Sequence, residues 1–414
     1  MTYVQVFRSE TTTLSKSSLL FLWLSFLLFP IAHLRMISGI PAYWSETALI
    51  SSLLCLLLDD SFQVRSRFPQ IFFEEKKFFI FTGIFLSGTI LSYFLNQHSI
   101  SGLGEIKSFY LIPTLLPVAM LLCAKTRRHI EFLAFGWFLG VAVASFAGVT
   151  IYALGLLTYD GRLSSLYLSP NHLAMLVAPG VVLGAYFASI HAGWRRGIAI
   201  ISAAIIIFTL WATRSYASWV AVSGALAVLG SLSWRTRPSF SRLGLVAIVA
   251  MTVFGTVFFS ERGTEKWQAL VSNDERSSFS SRLIIWRSAV KIASDSFPIG
   301  IGTGRFQEVY LAEQANFPRY LEWAVPTPHN LYLFFFLEGG PLALLGFLGS
   351  VSVIAARARH LLRASYRPLL ALGLALTMLY LIYGIVDTPY MKNDLALAVW
   401  GSLGFCLAAL RLKA

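Results

Sequence analysis

Charged residues are scarce in this chain of 414 residues. Only 13% of the positions are Asp, Glu, Lys or Arg, whereas 56% are hydrophobic. Soluble domains carry about 25% charged residues, because they need polar groups to cover their surface. The mean hydropathy of +0.68 agrees with this contrast. These values exclude an ordinary soluble enzyme and a disordered chain, and they predict a polytopic helical membrane protein.

Cysteine and metal-binding motifs are rare or missing as well. The three cysteines, Cys55, Cys123 and Cys406, lie far apart inside apolar runs. This spacing excludes both the disulfide framework of a small secreted domain and a clustered metal site. The chain also has no H-E-x-x-H motif, no Asp-x-Asp pair for a nucleotide-sugar metal and no Walker loop. We therefore expect the protein to use neither a metal ion nor another cofactor.

Long basic runs are absent, although the net charge is +13. Most Lys and Arg residues fall in short gaps between apolar segments, which is typical of membrane topology and not of a nucleic-acid-binding surface. Twelve apolar segments are long enough to cross a hydrocarbon core of about 30 Å. They are 18–36, 42–58, 78–96, 106–124, 131–157, 172–191, 197–212, 214–232, 241–260, 329–355, 367–386 and 393–410.

The basic residues also predict the orientation of these segments. One set of loops, together with the two chain ends, holds twenty Lys and Arg residues. The alternate short loops hold five: Arg35, Lys107, Arg162, Arg214 and Lys392. The positive-inside rule then predicts that both termini are cytoplasmic. We expect the first segment to be a membrane span and not a cleavable signal, because it is long and lacks a small-residue cleavage site.

One outer loop, residues 261–328, is long and polar, with eight basic and eight acidic residues. Its length exceeds that of a plain connection. The stretch Arg282–Val290 has apolar residues at helical spacing, which predicts an amphipathic helix at the outer membrane surface. The stretch Pro298–Arg305 is rich in turn-forming residues. We therefore divide the chain into transmembrane helices at 1–260, a loop domain at 261–328 and transmembrane helices at 329–414.

Four outer arginines suggest an anionic ligand: Arg162, Arg214, Arg282 and Arg305. An arginine at membrane depth needs a partner, and acidic residues are few on this side. The planar guanidinium suits phosphate oxygens. Backbone N–H groups of the glycine-rich turn before Arg305 add a further potential anion cradle. The alternative interpretation is that these side chains reach water or form the polar face of a helix.

His329 is the leading candidate for chemistry. It lies in Pro326-Thr-Pro-His-Asn330, immediately before a strongly apolar helix. The prolines make this entry rigid, and a helix start favours an anion. Histidine has an ordinary pKa of about 6.5 and accepts a proton at neutral pH. The alternative is an interfacial histidine bonded to a backbone carbonyl. His172 opens the sixth span with the same local features.

Glu338 is an acid inside an apolar segment. It precedes Gly339-Gly340-Pro341, which predicts a break or kink in the helix. An acid at this depth is either functional or paired with an arginine that holds the fold, and both interpretations stay open.

Taken together, these motifs resemble the O-antigen ligase and O-antigen polymerase superfamily over roughly 160–340. The motifs are Arg282-Leu-x-x-Trp286, Pro298-x-Gly300-x-Gly302-x-Gly304-x-Phe306, His329-Asn330-x-Tyr332-Leu333 and Glu338-Gly339. Arg162 with Ser169-Pro-Asn-His-Leu-Ala174 is similar to the family's preceding loop. Arg214 is similar to a Ser-Arg-Gly element, although this chain reads Thr213-Arg214-Ser215 and so keeps only the arginine.

The resemblance implies a multi-span glycosyltransferase fold of the GT-C type in the bacterial inner membrane. An undecaprenyl-diphosphate-linked polysaccharide would be bound from the periplasmic side of the phospholipid bilayer. It would be transferred, without metal and with inversion, to a hydroxyl of the lipid A–core oligosaccharide. His329 would be the base or would orient the acceptor, and Arg214 and Arg282 would hold the diphosphate. Five further residues are candidates for this site: Arg162, His172, Arg305, Asn330 and Glu338.

Three alternatives remain beside the ligase. An O-antigen polymerase uses the same donor, a related glycan ligase modifies proteins, and a transporter moves the lipid intact. We favour the ligase because the single large outer loop comes late in the chain, just before the His329-Asn330 helix. The chain shows no duplicated halves and no matching pair of broken helices, which argues against the transporter.

Overall fold

The computed structural model describes most of the chain as α-helices. The described residues are 13–30, 34–37, 40–59, 61–96, 100–167, 169–234, 268, 278–314, 324–364 and 368–412.

The first half of the chain contains a β-ribbon among its helices. The elements are α1 Thr13–Leu28, β1 Leu34–Ile37, β2 Ile40–Tyr43, α2 Trp44–Asp59, α3 Ser61–Glu74, α4 Lys76–Leu95, α5 Ile100–Glu105, a π-helical segment Ile106–Leu111, α6 Ile112–Cys123 and α7 Arg127–Ala153. The second half is helical in its described parts. Its elements are α8 Pro170–Ile190, α9 Gly193–Ala212, α10 Tyr216–Trp234, α11 Ser278–Asp295, α12 Phe306–Glu313, α13 Leu331–Ala364, α14 Pro368–Tyr383 and α15 Asn393–Arg411.

Eleven of the twelve predicted spans fall on these helices, the first of them only in part. The predicted span 241–260 lies outside the described residues. Within the described part, seven helices are long and apolar enough to cross a membrane: Lys76–Leu95, Gly102–Cys123, Arg127–Ala153, Pro170–Ile190, Gly193–Ala212, Leu331–Leu362 and Asn393–Arg411. Three apolar helices are shorter: Thr13–Leu28, Tyr216–Leu232 and Pro368–Tyr383. The protein is therefore a helical multi-pass membrane protein, and twelve spans remain a prediction.

The first predicted span, 18–36, was wrong at its C-terminal end. Helix α1 ends at Leu28, and Pro30 follows, which has no N–H to continue a helix. Strand β1 then pairs antiparallel with β2, so that Leu34 lies opposite Tyr43. This ribbon satisfies the backbone groups of the last apolar residues, which had been expected to lie in the helix.

The core of the bundle is built around α15, in which every residue from Asn393 to Leu410 is buried. The most extensive helix pairs are α4 with α13, α1 with α2, and α10 with α14. Trp400 of α15 packs against Phe85 of α4 and Phe347 of α13. Buried aromatic rings contribute large apolar areas, so these contacts fix α13 against the centre of the bundle.

The helix predicted within the 261–328 loop is present as α11, and its position at the outer membrane surface stays a prediction. Its buried face, which includes Ile285 and Ala289, packs in one cluster with Phe306 and Tyr310 of α12 and Leu337 of α13. The opposite face holds exposed residues, as helical spacing requires. These contacts attach the loop to the helix that begins just after His329.

The predicted kink after Glu338 is also confirmed. Gly339 and Gly340 have non-helical backbone angles within α13, and φ of Gly340 is +64°. A Cβ atom on Gly340 would collide with the carbonyl oxygen of Pro298. Glycine is therefore required where the turn after α11 crosses α13, and Ile301 N donates to Leu337 O across this crossing at 2.6 Å.

Candidate functional site

The candidate site lies at one end of the helix bundle, here called the site end. Four connections meet there: residues 154–167, 213–215, 324–330 and 384–392. Backbone hydrogen bonds join them in pairs. Leu163 N donates to Ala212 O at 2.9 Å, and Leu331 N donates to Gly384 O at 2.8 Å. The loops thus form a fixed platform on which polar side chains from distant parts of the sequence meet.

At the centre of this platform, Asp387 binds His329 and Arg282. His329 Nδ1 lies 2.8 Å from Asp387 Oδ1, and Arg282 Nη2 lies 3.4 Å from Asp387 Oδ2. The backbone N–H of Thr388 also donates to Asp387 Oδ1, at 2.9 Å. The Asp387 side chain is only 4% exposed, whereas that of His329 is 23% exposed. The carboxylate is therefore internal, and the imidazole reaches the surface of the site.

The environment of Asp387 keeps it ionised. Burial acts to raise the pKa of this carboxyl, but the charge and hydrogen bond of His329, the charge of Arg282 and the N–H of Thr388 outweigh it and lower the pKa to about 2. An ionised Asp387 can only accept, so this contact selects the His329 tautomer that carries its proton on Nδ1 and donates it to Asp387 Oδ1. The other ring nitrogen, Nε2, then carries the lone pair, which is the arrangement of a general base.

The backbone around His329 is held in an uncommon conformation. Its φ is +47°, a region that non-glycine residues rarely occupy. Trp286 Nε1 donates to the His329 carbonyl at 3.2 Å. The Asn330 side chain caps α13 by accepting from the N–H groups of Tyr332 and Leu333, and it donates to Ile385 O. Asn330 therefore positions His329 at the start of the helix.

Arg162 joins two of the loops at the site end. Its Nε donates to Thr213 O at 2.8 Å, and its Nη2 donates to Asn171 Oδ1 at 2.7 Å. Asp160 lies 3.8 Å from the guanidinium. Burial lowers the pKa of Arg162, and Asp160 acts in the opposite direction. Arg162 is thus a largely buried cation that fixes the loop preceding Arg214.

Arg214 occupies the tight connection between α9 and α10. Its φ is +48°, and its N–H donates to Trp211 O at 2.9 Å. The next residue, Ser215, shares a hydrogen bond of 3.0 Å with the Tyr383 hydroxyl. That hydroxyl interacts electrostatically with Asp387, Arg282 and Arg162.

Tyr383 therefore shows that the two predicted diphosphate-binding segments meet at one place. Ser215, its hydrogen-bond partner, directly follows Arg214, and Arg282 acts on the same hydroxyl. The structure thus brings Arg162, Arg282, His329 and the Arg214 connection around one end of α14.

His172 forms a second histidine–aspartate pair. Its Nε2 lies 3.1 Å from Asp394 Oδ2 at the start of α15. The Ser169 hydroxyl caps α8 by accepting from the His172 N–H. The preceding Asn171 is the residue that binds Arg162, so the second pair is connected to the arginines through one side chain.

Glu338 and Arg305 lie with the turn that follows α11. Glu338 accepts a hydrogen bond from the Tyr110 hydroxyl at 2.6 Å and from Gly304 N at 3.1 Å. Arg305 pairs with Glu308 at 3.3 Å. Among the described residues, Glu338 has no arginine partner, and its hydrogen bonds go to Tyr110 and Gly304. A role for Arg305 in anion binding stays a prediction.

The sequence indicated the histidines and arginines but not the acids that hold them. Asp387 and Asp394 were not among the predicted site residues. The available signal was their place, since each follows or begins an apolar segment on the predicted outer side. Across the described ranges, no group of three or more His, Cys, Asp or Glu residues is placed to hold a metal ion.

Residues 201–348 match a family model described as O-Antigen ligase. The matched segment covers just over a third of the chain and contains Arg214, Arg282, His329 and Glu338. The resemblance to the O-antigen ligase and polymerase superfamily is thereby confirmed over these residues. No curated protein matches the chain.

Proposed function

We propose that this protein is an O-antigen ligase of the bacterial inner membrane. It transfers an undecaprenyl-diphosphate-linked O-antigen polysaccharide to the lipid A–core oligosaccharide at the periplasmic face. The observation that carries the proposal is the group of His329, Asp387 and Arg282 at the site end, inside a helical membrane protein with an O-antigen ligase match. One histidine is oriented by a buried carboxylate, and the same carboxylate binds an arginine.

His329 is the general base in this mechanism. Its Nε2 takes the proton of the acceptor hydroxyl while the hydroxyl oxygen attacks C1 of the sugar linked to the diphosphate. Asp387, ionised and buried, holds the ring by Nδ1 and stabilises the imidazolium that forms. General-base catalysis of this kind contributes typically about 10²–10⁴-fold to the rate.

The arginines stabilise the departing diphosphate. As the bond between C1 and the diphosphate oxygen breaks, negative charge grows on the leaving group. Arg282 and Arg214 bind the phosphate oxygens, and Arg162 adds a fixed positive charge nearby. These cations supply the charge stabilisation that a metal ion supplies in other transferases. A single displacement at C1 inverts its configuration.

The membrane placement follows from the distribution of apolar and basic residues. Seven apolar helices of membrane length suit a protein whose donor has a polyprenyl tail. Three of the four loops that form the site are short loops predicted to be outer by their low content of Lys and Arg, and the fourth, 324–330, ends the long outer loop. The proposal therefore has the lipid tail among the helices and the diphosphate at the periplasmic boundary.

The test uses the purified protein in nanodiscs, with undecaprenyl-diphosphate-linked O-antigen and lipid A–core, without ATP or added metal. Wild type is compared with His329→Ala and Arg214→Ala. We expect a ladder of modified lipid A–core with wild type and its loss with both variants. Longer lipid-linked chains without core modification would assign a polymerase instead. Movement of intact lipid across the bilayer without either product would refute the enzyme.

A further inference from the structure

The second histidine–aspartate pair, His172 with Asp394, has no part in the mechanism above. Both side chains are mostly buried but reach the surface at the site end, with exposures of 13% and 12%. Asp394 Oδ1 accepts from Leu395 N at 2.9 Å, and Oδ2 faces His172 Nε2. His172 lies in the first turn of α8 and Asp394 in the first turn of α15, so the N-terminal ends of two helices position the pair.

Two polar atoms beside this pair have no hydrogen-bond partner among the described residues. They are the Nδ1 atom of His172 and the hydroxyl of Tyr380, both inaccessible as single atoms. Tyr380 is 1% exposed, and its hydroxyl interacts electrostatically with Asp394. Burying an unsatisfied polar group is costly, so such groups call for an explanation by a ligand or water.

An aromatic ring completes this group. The Tyr167 ring lies 5.0 Å from the His172 ring at an interplanar angle of 64°, and Tyr167 is partly exposed. An apolar ring face next to a few convergent polar groups is typical of small-molecule sites. We call the group of Tyr167, His172, Tyr380 and Asp394 the His172 subsite.

The His172 subsite adjoins the arginines of the proposed diphosphate site. Asn171, next to His172, accepts a hydrogen bond of 2.7 Å from Arg162. Tyr380 and Tyr383 are three residues apart on α14, so their side chains lie on the same face. One tyrosine interacts with Asp394 and the other with Asp387, Arg282 and Arg162. A ligand bound to the arginines is therefore within reach of the subsite.

The His172 subsite and the neighbouring arginine site differ in charge. Three carboxyl groups, those of Asp394, Glu46 and Glu105, interact electrostatically with the Tyr43 hydroxyl. The surroundings of the His172 subsite are therefore rich in acidic residues. Lys107 forms an ion pair of 2.8 Å with Glu46, and Lys392 interacts electrostatically with Glu105. The two lysines therefore interact with these glutamates. Acidic surroundings disfavour a phosphate but suit neutral hydroxyl groups, which hydrogen-bond to both a carboxylate and an imidazole.

We propose that the His172 subsite binds hydroxyl groups of the sugar attached to the diphosphate of the lipid donor. The inference rests on the proposed function, because it takes the arginines as the diphosphate site. Asp394 accepts hydrogen bonds from sugar hydroxyl groups, His172 hydrogen-bonds to them through Nδ1, and Tyr167 offers its ring face. Sites that hydrogen-bond a hydroxyl discriminate strongly against a ligand that lacks it. The subsite therefore determines which donor sugar is accepted.

The experiment compares equilibrium binding of two lipids to the purified full-length protein in nanodiscs. The probes are undecaprenyl diphosphate, which has no sugar, and undecaprenyl-diphosphate-linked O-antigen. His172→Phe and Asp394→Asn should weaken binding of the glycosylated lipid about tenfold, consistent with losing one or two hydrogen bonds, and leave the bare lipid unchanged. Arg282→Gln should weaken both lipids. His360→Phe, at an exposed position of α13, is the matched control.

Equal weakening of both lipids by His172→Phe, or unchanged binding of both, would overturn the subsite. Retained affinity for undecaprenyl diphosphate shows that the variant is folded. Transfer assays on the same proteins give a further check. If His172→Phe and Asp394→Asn raise the KM for lipid A–core and not the KM for the donor, the assignment to the donor sugar is wrong. Because binding needs no turnover, a failure to form any ligase product leaves this test readable.

Discussion

The two ends of α13 hold two kinds of buried charge. At the site end, Asp387 is shared between His329 and Arg282. Toward its other end, Arg357 pairs with Glu75, whose side chain is fully buried. Arg411 of α15 joins this second cluster, 2.6 Å from Glu74 and 3.9 Å from Glu75. We refer to the group of Glu74, Glu75, Arg357 and Arg411 as the Glu75 cluster.

The difference lies in charge balance. In the Glu75 cluster, two carboxylates face two arginines, so the charges neutralise one another and tie α13, α15 and the α3–α4 junction together. Among the described residues of the site end, Asp387 binds both His329 and Arg282. Under the proposed function, His329 takes a proton during transfer, and the added positive charge is matched by the negative diphosphate. A closed cluster of this kind stabilises a fold, whereas an open one suits a ligand.

The backbone shows the same contrast. Three described non-glycine residues have positive φ: Ser165, Arg214 and His329. All three lie in the loops of the site end. Such conformations cost about 1–3 kcal/mol each and persist where the surrounding contacts impose them, typically at functional sites.

The largest expected effect is on His329. Replacing it with alanine removes the proposed base, and we expect kcat to fall about 10³-fold. The thermal midpoint should also fall, because the buried Asp387 loses one of its partners. As a control, His360→Ala, at an exposed histidine on α13, the helix that follows His329, should retain activity. Ladder formation on lipid A–core, quantified over time, is the measurement. A variant with more than a tenth of wild-type kcat would contradict the base assignment.

Arg282 comes next, and the chain offers a matched control. Arg282→Gln should lower kcat/KM about 100-fold if Arg282 binds the departing diphosphate as proposed. Arg287 lies on α11 five residues after Arg282, at an exposed position, and Arg287→Gln should change kcat/KM less than twofold. Comparable losses in the two variants would mean that the helix contributes general positive charge and no specific contact.

Substitutions in the Glu75 cluster should lower the free energy of unfolding and leave kcat unchanged. Arg357→Leu leaves the buried Glu75 carboxylate short of a partner, and we expect a loss of about 3 kcal/mol. Adding Glu75→Gln should recover part of it. Thermal denaturation in detergent measures the change, and kcat per folded protein should stay at the wild-type level. A selective loss of kcat would break the proposed division between the two ends.

The smallest expected effect concerns the pH dependence of Asp387. Its pKa is lowered from 3.8 to about 2 in the folded protein, so its ionised form stabilises the fold above about pH 4. That contribution, roughly 2 kcal/mol, is lost as the pH falls through 2. The difference in thermal midpoint between wild type and Asp387→Asn should therefore be constant from pH 5 to 7 and shrink below pH 4. A difference that persists at pH 2 would show that the charge of Asp387 is not its source.

Features that depend on neighbouring residues could be predicted from the sequence. Apolar runs predicted most of the helices, and Glu338-Gly-Gly-Pro341 predicted the kink in α13, because these depend on local hydropathy and backbone freedom. The ribbon after Leu28 was missed, since its residues are as apolar as those of a span and only the pairing of β1 with β2 distinguishes them.

The acid partners of the site could not be predicted for a different reason. His329 and Asp387 are 58 residues apart, and His172 and Asp394 are 222 residues apart. Only the packing of α14 and α15 against the other helices brings them together, and no local pattern encodes that packing. The sequence therefore indicates which residues carry the chemistry, while the fold decides which acid orients each one.

The hydrogen bond from Trp286 to the His329 carbonyl has a practical consequence. Indole fluorescence depends on the bonding and polarity around the ring, so this side chain is a natural optical reporter attached to the loop of the base. Subtracting the emission of Trp286→Phe from that of wild type isolates its signal from the other ten tryptophans. Substrate arrival can then be followed in real time, in unlabelled protein, before any glycan has been transferred.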